Sequence, residues 1–561
     1  MAGWSRTARA EALEMVQAHQ DQGLSERQAA QAAGVPRGTL RHWTQHQGEG
    51  RMSAEAQAFF DTPAGVELLQ RLVMAAHLVI TLHGGGGVRL VCQFLELSGL
   101  SSVVGASYGA QQAVNVALEA EVAAFGAAER QRLGEAMPTR RITMSGDETH
   151  HPDVCLVGIE PVSNFIVLEQ YARGRSAADW EKAMKEALLG LSVEIEQFSS
   201  DQAKGLCHYI TRTLGAHQSP DLFHVEHEIS RATAGPLAAR VRQAEQAVEK
   251  ATEAVSAVQA AETAHDQAPS RRGRRPDFEG RRRQAQWNLA GEQLQQERAQ
   301  ADQHEAKAVR QALSAAYHPY DLDTGQCQSP EQVGQRLQEC WDRLDALAKR
   351  CQLAERCRAR LNKARRLTEA LTATIAFYVT MITSRVEALN LSPELETMLY
   401  EQLIPAVYLE QVAERSGDRE QRQRLREQAE RLLAPLRQAD GPLAGVDASE
   451  RQRLEQVAIE CAQCFQRSSS CVEGRNGQLA LHHHARHRLS DRRLAALTTV
   501  HNFLIRRPDG TTAAERFFGQ PPADLFETVC FRVKLPGRPA QKRPPPRKPP
   551  RLYVVETQGV D

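Results

Sequence analysis

Residues 145–151 read SGDETHH and follow a short run with strand character, residues 142–144. β-Branched and apolar residues before polar ones are typical of a strand end, so Asp147 is predicted at or just past the end of a short strand. A second strand-like run, residues 193–198, is followed by SSDQAKGL and presents Asp201 in the same way. Carboxylate oxygens are the ligands that hard divalent cations prefer, and paired metals suit phosphodiester chemistry. The two stretches therefore predict a metal-dependent site.

Length and composition limit the protein class without deciding it. The 561 residues predict roughly three or four domains. Lys and Arg together number 69, as do Asp and Glu, so net charge argues neither for nor against nucleic acid. The most apolar run, residues 72–82, is too short for a membrane span and contains His77. Eleven cysteines without an N-terminal apolar signal segment predict a reducing cytosol.

Residues 23–43, GLSERQAAQAAGVPRGTLRHW, predict two short helices joined by a turn. Ser25 is a good helix cap and Gly34 suits a tight turn. The pattern is that of a helix-turn-helix with a recognition helix near 36–45. Its groove-facing candidates are Arg37, Thr39, Arg41 and His42. The alternative is a helical protein-interaction module, because residues 1–50 balance five arginines against five acidic residues.

Residues 51–135 predict a second helical domain. Four glycines at 84–87 lack the residues of a phosphate-binding loop, so a flexible connection is predicted there. Residues 94–123, with Gly99 at the turn, form a weaker helix-turn-helix candidate, and plain core helices explain them equally well.

From residue 136 the pattern changes to strands. Strands are predicted at 142–144, 154–159 and 164–169, a helix at 177–190, and a fourth strand at 193–198. A helix at 202–215 and a fifth strand at 221–225 complete the set. The order is three antiparallel-type strands, helix, strand, helix, strand.

This order resembles the DDE transposases of bacterial insertion sequences, whose core has the ribonuclease-H-like fold. The similar phrases are GDET at 146–149, SDQAKGL at 200–206 and DLFHV at 221–225. SSCVEGRNG at 469–477 looks like the Glu-x-x-Asn segment of that family, and LTTVHNF at 497–503 with RPDGTTAAERFFG at 507–519 looks like its closing stretch. The resemblance covers roughly residues 140–230 and 465–520.

The resemblance implies that Asp147, Asp201 and Glu473 are catalytic and hold Mg²⁺ or Mn²⁺, with Glu460 a nearby competitor for the third place. A strand-end aspartate can instead cap a turn or helix. Glu148 would face away from Asp147 on a strand and lie behind the ligands. His150 and His151 are expected to line the site beside the carboxylates. Lys204, Arg475 and Asn476 are expected to contact DNA there.

The 272 residues between Asp201 and Glu473 (473 − 201) exceed what a compact core needs. Residues 235–316 have sparse helical spacing broken at 268–276, which predicts a helical hairpin with a basic tip, and 330–460 predict further amphipathic helices. Some transposases of this class carry such an all-helical insertion. The predicted domains are 1–50 (helix-turn-helix), 51–135 (helical), 136–232 (first core part), 233–460 (helical or coiled-coil insertion), 461–530 (second core part) and 531–561 (basic, proline-rich tail).

Two further groups of residues leave their interpretation open. Cys461 and Cys464 with the histidines at 482–484 and 487 permit a zinc site, but two buried cysteines and a His-rich turn explain them as well. The basic hairpin tip, residues 271–283, and the basic tail, residues 534–551, suit non-specific phosphate contact.

The expectation is a mixed α/β protein with large helical content: a cytoplasmic DDE transposase of the bacterial cytosol or nucleoid. Its partners would be double-stranded DNA, as terminal inverted repeats and target, and further copies of the chain in a homodimer or higher oligomer, with no membrane. The alternative is a non-enzymatic DNA-binding regulator, a domesticated transposase. A coiled-coil scaffold would need heptads sustained through 235–460, and the spacing there is too irregular.

Overall fold

The computed structural model describes residues 6–40, 52–269, 273–438, 440–483 and 488–538. The chain divides into two compact units, Met137–Gln478 and a second unit that combines Met1–Ala136 with Leu479–Asp561. Helices dominate both units, and one mixed sheet lies in the described part of the chain, so the mixed α/β class is confirmed. Arg41, His42 and most of the basic tail lie outside the described residues.

The N-terminal helices α1 (Arg6–Asp21) and α2 (Glu26–Ala32) pack on a small core of their own. Ser25 caps α2 as predicted, because its Oγ accepts from the Gln28 amide while the Gln28 side chain accepts from the Ser25 amide. Gly34 has φ +64°, a conformation that favours glycine, and it makes the tight turn. Residues 37–40 then begin another helix.

Four more helices follow up to residue 136. They are α3 (Ala54–Phe59), α4 (Pro63–Ala76), α5 (Val88–Leu97) and α6 (Tyr108–Ala136). A π-helical segment, His77–His83, extends α4, and the glycine run at 84–87 connects it to α5.

The extension makes Pro63–His83 a 21-residue helix, long and apolar enough to cross a membrane by length and composition. Glu355–Glu387 passes the same test. Half of the apolar window of Pro63–His83 is buried inside the protein, and its buried His77 and Thr81 bond to Asn115 of α6. Such packing fits the core helix of a soluble protein.

The sheet has the order β3-β2-β1-β4-β5. The first three strands pair antiparallel, β4 lies parallel to β1, and β5 lies parallel to β4. The strands are β1 (Arg140–His151), β2 (Asp153–Glu160), β3 (Phe165–Ala172), β4 (Val193–Ser200) and β5 (His217–Pro220). Helix α7 (Ala177–Leu188) precedes β4, and helix α8 (Lys204–His208) with a π-helical segment, Tyr209–Leu214, follows it.

Two predictions about these strands are wrong in position. Asp147 lies inside β1 rather than at its end, because the antiparallel hairpin with β2 extends β1 to His151. The fifth strand is His217–Pro220 rather than 221–225, because Asp221 caps the next helix, accepting from the Phe223 amide at 2.8 Å.

The helical region begins with a long hairpin of α9 (Leu222–Asp266) and α10 (Phe278–Ala316). The predicted break is present, although α9 begins 13 residues before the predicted position 235 (235 − 222). The following helices are α11 (Pro330–Arg350), α12 (Glu355–Arg365), α13 (Thr368–Glu387), α14 (Pro393–Met398), α15 (Ile404–Arg415), α16 (Arg419–Leu433) and α17 (Ala448–Gln463). All of them except α16 share a core with the base of the hairpin, and α16 packs against α15 in a smaller cluster.

The chain then forms α18 (Ser470–His483), which carries Glu473 in its first turn. Three helices complete the described chain: α19 (Asp491–Phe503), α20 (Ala513–Phe518) and α21 (Leu525–Cys530).

Candidate active site

The sheet register brings the first two candidate carboxylates together. β1 and β4 run parallel, and Gly146 with Ser200 is the last pair that joins these two strands. Asp147 and Asp201 are the next residues along these neighbouring strands. The two side chains therefore start from adjacent positions, just beyond the last pair between β1 and β4.

Local hydrogen bonds orient both aspartates. The Asp147 Oδ1 accepts from the Glu148 amide at 2.7 Å. The Asp201 Oδ1 accepts from the Ala203 amide at 2.9 Å, in the turn that leads into α8. An aspartate in such a turn satisfies backbone donors, so the capping role expected as the alternative for Asp201 is also present.

The negative charge of Glu473 acts on the carboxylate of Asp147. The pKa of Asp147 is raised to about 7, mainly by burial and also by the negative charges of Asp201 and Glu473, while the Glu148 amide and His224 act to lower it. Like charges have this effect only at short range. Glu473 therefore acts on Asp147, although Glu473 itself is exposed and comes 272 residues after Asp201 (473 − 201).

The donor set suits a divalent cation in kind, since it consists of carboxylates whose repulsion a cation would relieve. The spacing of these carboxylates does not yet form a metal site. Among the described residues, no group of three or more His, Cys, Asp or Glu side chains lies close enough together to hold a metal ion. The carboxylates interact without lying at ligand distances from a common point.

Glu148 is directed away from the carboxylates into the protein. Its Oε1 accepts from Trp180 Nε1 at 3.1 Å, and its Oε2 lies 3.3 Å from Arg175 Nη1. This placement agrees with strand alternation. His150 is exposed near the end of β1, and His151 closes the pairing with Asp153.

The residues expected to contact DNA differ in their availability. Lys204 is exposed at the start of α8. Arg475 is buried and held by Glu169, with Nη2 to Oε2 at 2.6 Å, so its guanidinium is already engaged. The Oδ1 of Asn476, one turn beyond Glu473, is buried without a hydrogen-bond partner.

In the N-terminal helices, Arg37 forms a 3.3 Å ion pair with Glu26, and Thr39 is half-buried. The ion pair is exposed, so it leaves the guanidinium accessible from solvent.

The sequence interpretation missed His224 and Asp221. Asp221 is buried, accepts from Ser469 Oγ, and lies 3.7 Å from His224 Nε2. That nitrogen is buried without a hydrogen-bond partner, and His224 lowers the pKa of Asp147. The available signal was the i,i+3 spacing of Asp221 and His224, which shares a face only on a helix.

The cysteines considered for zinc are buried in the helical region. Burial raises the pKa of Cys461 to about 12 and that of Cys464 to about 11, and Arg385 Nη1 donates to Cys464 Sγ at 3.1 Å. Zinc binds thiolates, so burial favours the protonated form that does not bind. His484 and His487 lie outside the described residues.

Comparison with known proteins gives one partial match. Residues 399–545 match a model described as a family of unknown function, DUF6399. The matched segment covers well under half of the chain and includes Glu473. No curated protein and no solved structure matches the chain.

Proposed function

We propose that this protein is a DNA transposase of the DDE type, which binds the ends of a mobile element and catalyses metal-dependent strand cleavage and strand transfer. One observation carries the proposal: the parallel pairing of β1 and β4 ends at Gly146 and Ser200, so that Asp147 and Asp201 start from neighbouring positions, and the charge of Glu473 acts on Asp147 as well. The strand order β3-β2-β1-β4-β5 is the one expected of a ribonuclease-H-like core and supports the same class.

Asp147, Asp201 and Glu473 would hold Mg²⁺ or Mn²⁺. When bound, two such ions activate water or a DNA 3′-OH and stabilise the leaving oxygen during in-line displacement at phosphorus. In the free protein, Asp147 with a pKa of about 7 is partly protonated at neutral pH, so it gives up that proton when the cation binds. The Asn476 Oδ1, which is buried without a hydrogen-bond partner one turn after Glu473, would accept a hydrogen bond from a water or from the 3′-OH of a DNA end.

DNA would be held by cations distributed along the chain. The N-terminal helices with Arg37 and Thr39, continued by Arg41 and His42, would form the helix-turn-helix that reads the element ends. Lys204, exposed three residues after Asp201, would contact a backbone phosphate beside the cut. Such contacts make affinity fall steeply with salt.

A non-enzymatic DNA-binding regulator is the second candidate. It is favoured by one observation, that the described residues contain no group of three metal-ligating side chains at ligand spacing. The two candidates differ in whether DNA is cut.

The test is cleavage and joining of a labelled duplex that carries the DNA flanking the coding sequence, in Mg²⁺. Glu473→Gln removes one proposed ligand, and Glu460→Gln, on the exposed face of α17, is the matched control. The wild type and Glu460→Gln should cut, while Glu473→Gln should bind DNA and cut at least about 100-fold more slowly. Equal cutting by Glu473→Gln would remove Glu473 from the site. Binding by all three without cutting would establish the regulator.

A further inference from the structure

The hairpin of α9 and α10 carries an exposed aromatic side chain that the catalytic proposal does not use. Trp287, on α10, is 74% exposed, and Leu294, two turns further on, is 46% exposed. Trp287 lies at the edge of a groove of about 1140 Å³ lined by residues of both arms. A large apolar surface left in water beside a groove is typical of an interaction site.

The groove has room for a second indole ring. Gly291 lies one turn after Trp287, and a Cβ placed on it would meet no atom within 4 Å. A protruding ring and an open space therefore lie next to each other on one face of α10. Such a surface is complementary to a copy of itself turned by a two-fold axis, as in isologous dimers.

The charged residues along the groove are also placed to pair across a two-fold axis. Arg281 lies six residues before Trp287 and Glu292 five residues after it, which is about 9 Å and about 7.5 Å along the helix. A two-fold axis near Trp287 would bring Arg281 opposite Glu292 of the second copy. Neither side chain forms an ion pair with another residue in the described ranges.

A second pair of opposite charges lies along the groove. Asp277 lines the groove near the hairpin tip, and Lys250 of α9 lines it near the opposite end. Antiparallel pairing would place these opposite charges against each other as well. An aromatic anchor ringed by complementary charges is the usual composition of a protein–protein interface.

We propose that this groove is a self-association surface, in which two copies of the chain pair antiparallel and each Trp287 fills the groove of the other. A dimer would serve a transposase that must bring two DNA ends together. Pairing through this surface does not depend on catalysis, so the dimer and the enzymatic activity can be tested separately.

The first test is sedimentation velocity of the full chain over a range of concentrations, without DNA or metal. Trp287→Ala should weaken the dimer about 1000-fold, because each dimer loses two tryptophan anchors. Gly291→Glu should fill and charge the groove without disturbing the monomer. Gly235→Glu, at an exposed position of α9 where a Cβ also meets no atom within 4 Å, is the matched control and should leave the dimer intact.

The second test is charge reversal. Arg281→Glu and Glu292→Arg should each weaken the dimer, and the double variant should restore it, because the pairs re-form across a two-fold axis. A monomeric wild type at tens of micromolar, an unaffected Trp287→Ala dimer, or a double variant no better than the singles would each overturn the proposal. So would a Trp287→Ala variant that loses DNA affinity but keeps its wild-type mass.

Discussion

Arg475 on α18 donates two hydrogen bonds to Glu169 on β3, from Nε to Oε1 at 2.8 Å and from Nη2 to Oε2 at 2.6 Å. Their side chains are 5% and 0% exposed. Because Glu473 lies two residues before Arg475, this ion pair fixes the start of α18 against the sheet. It therefore limits where the Glu473 carboxylate can reach.

Removal of one partner should be costly, because it leaves a buried charge without its counterpart. We expect Arg475→Ala to lower the free energy of unfolding by about 3–5 kcal/mol. Urea denaturation of the full chain measures this. Arg453→Ala, which breaks the exposed pair with Glu450 on α17, should cost less than about 1 kcal/mol. Similar losses in the two variants would show that the buried pair is unimportant.

The raised pKa of Asp147 predicts a pH dependence of stability without metal. Its pKa of about 7 lies above the ordinary value of 3.8, so between these pH values the folded state keeps a proton that the unfolded state has lost. The resulting stability is complete below about pH 4 and is lost as pH rises through 7, in total about 4 kcal/mol. Asp147→Asn cannot ionise, so it should exceed the wild type in stability at pH 8 and equal it at pH 4.

Two variants check the cause of that shift. Asp201→Asn removes a neighbouring negative charge, so the pKa of Asp147 should fall and the pH dependence should move to lower pH. At pH 8, the stabilisation that Mg²⁺ gives should be larger in the wild type than in the Asp147→Asn variant. A wild type whose stability does not change between pH 5 and 8 would contradict the burial and crowding of Asp147.

His224 provides a prediction about the pH at which metal binds. Because His224 lowers the pKa of Asp147, His224→Ala should raise that pKa and require a higher pH before Mg²⁺ displaces the proton. Mg²⁺-dependent thermal shifts at pH 6, 7 and 8 measure the change. His208→Ala, an exposed histidine on α8, is the control and should leave the pH dependence unchanged. An identical profile for both variants would separate His224 from the carboxylates.

Two glycines of α6 should respond in opposite ways to the same substitution. A Cβ on Gly126 would lie 2.2 Å from Thr499 Oγ1 of α19, whereas one on Gly109 would meet nothing within 4 Å. Gly126→Ala should therefore lower the melting temperature, with a loss of about 1–3 kcal/mol. Gly109→Ala should be neutral or stabilising by up to about 1 kcal/mol. Calorimetry of both variants decides whether α6 and α19 pack this closely.

Sequence patterns identified most strands but misplaced the last one. β5 reads HQSP and contains no β-branched or large apolar residue, so it is a strand because β4 pairs with it and not through its own propensity. The apolar residues after Asp221 suggested a strand, yet they start α9. The helix cap at Asp221 was the competing signal.

The residues of the candidate site also differ in how far the sequence could predict them. Asp201 directly follows β4 as the sequence predicted, Asp147 lies inside β1 and not at its end, and Glu473 was proposed only from resemblance to a family. The partner of Arg475 could not be predicted, because Glu169 lies 306 residues away in sequence and only the tertiary fold brings them together. His224 was missed because its position relative to Asp147 depends on where α9 begins.

The distance between Asp201 and Glu473 along the chain has a consequence for synthesis. The ribosome adds 272 residues (473 − 201) after Asp201 before it reaches Glu473, which takes roughly 14 to 54 s at about 5 to 20 residues per second. The nascent chain can complete the sheet early, but it lacks the third carboxylate for most of translation. If the proposed chemistry holds, a truncated or unfinished chain can bind DNA through its N-terminal helices without the means to cut it.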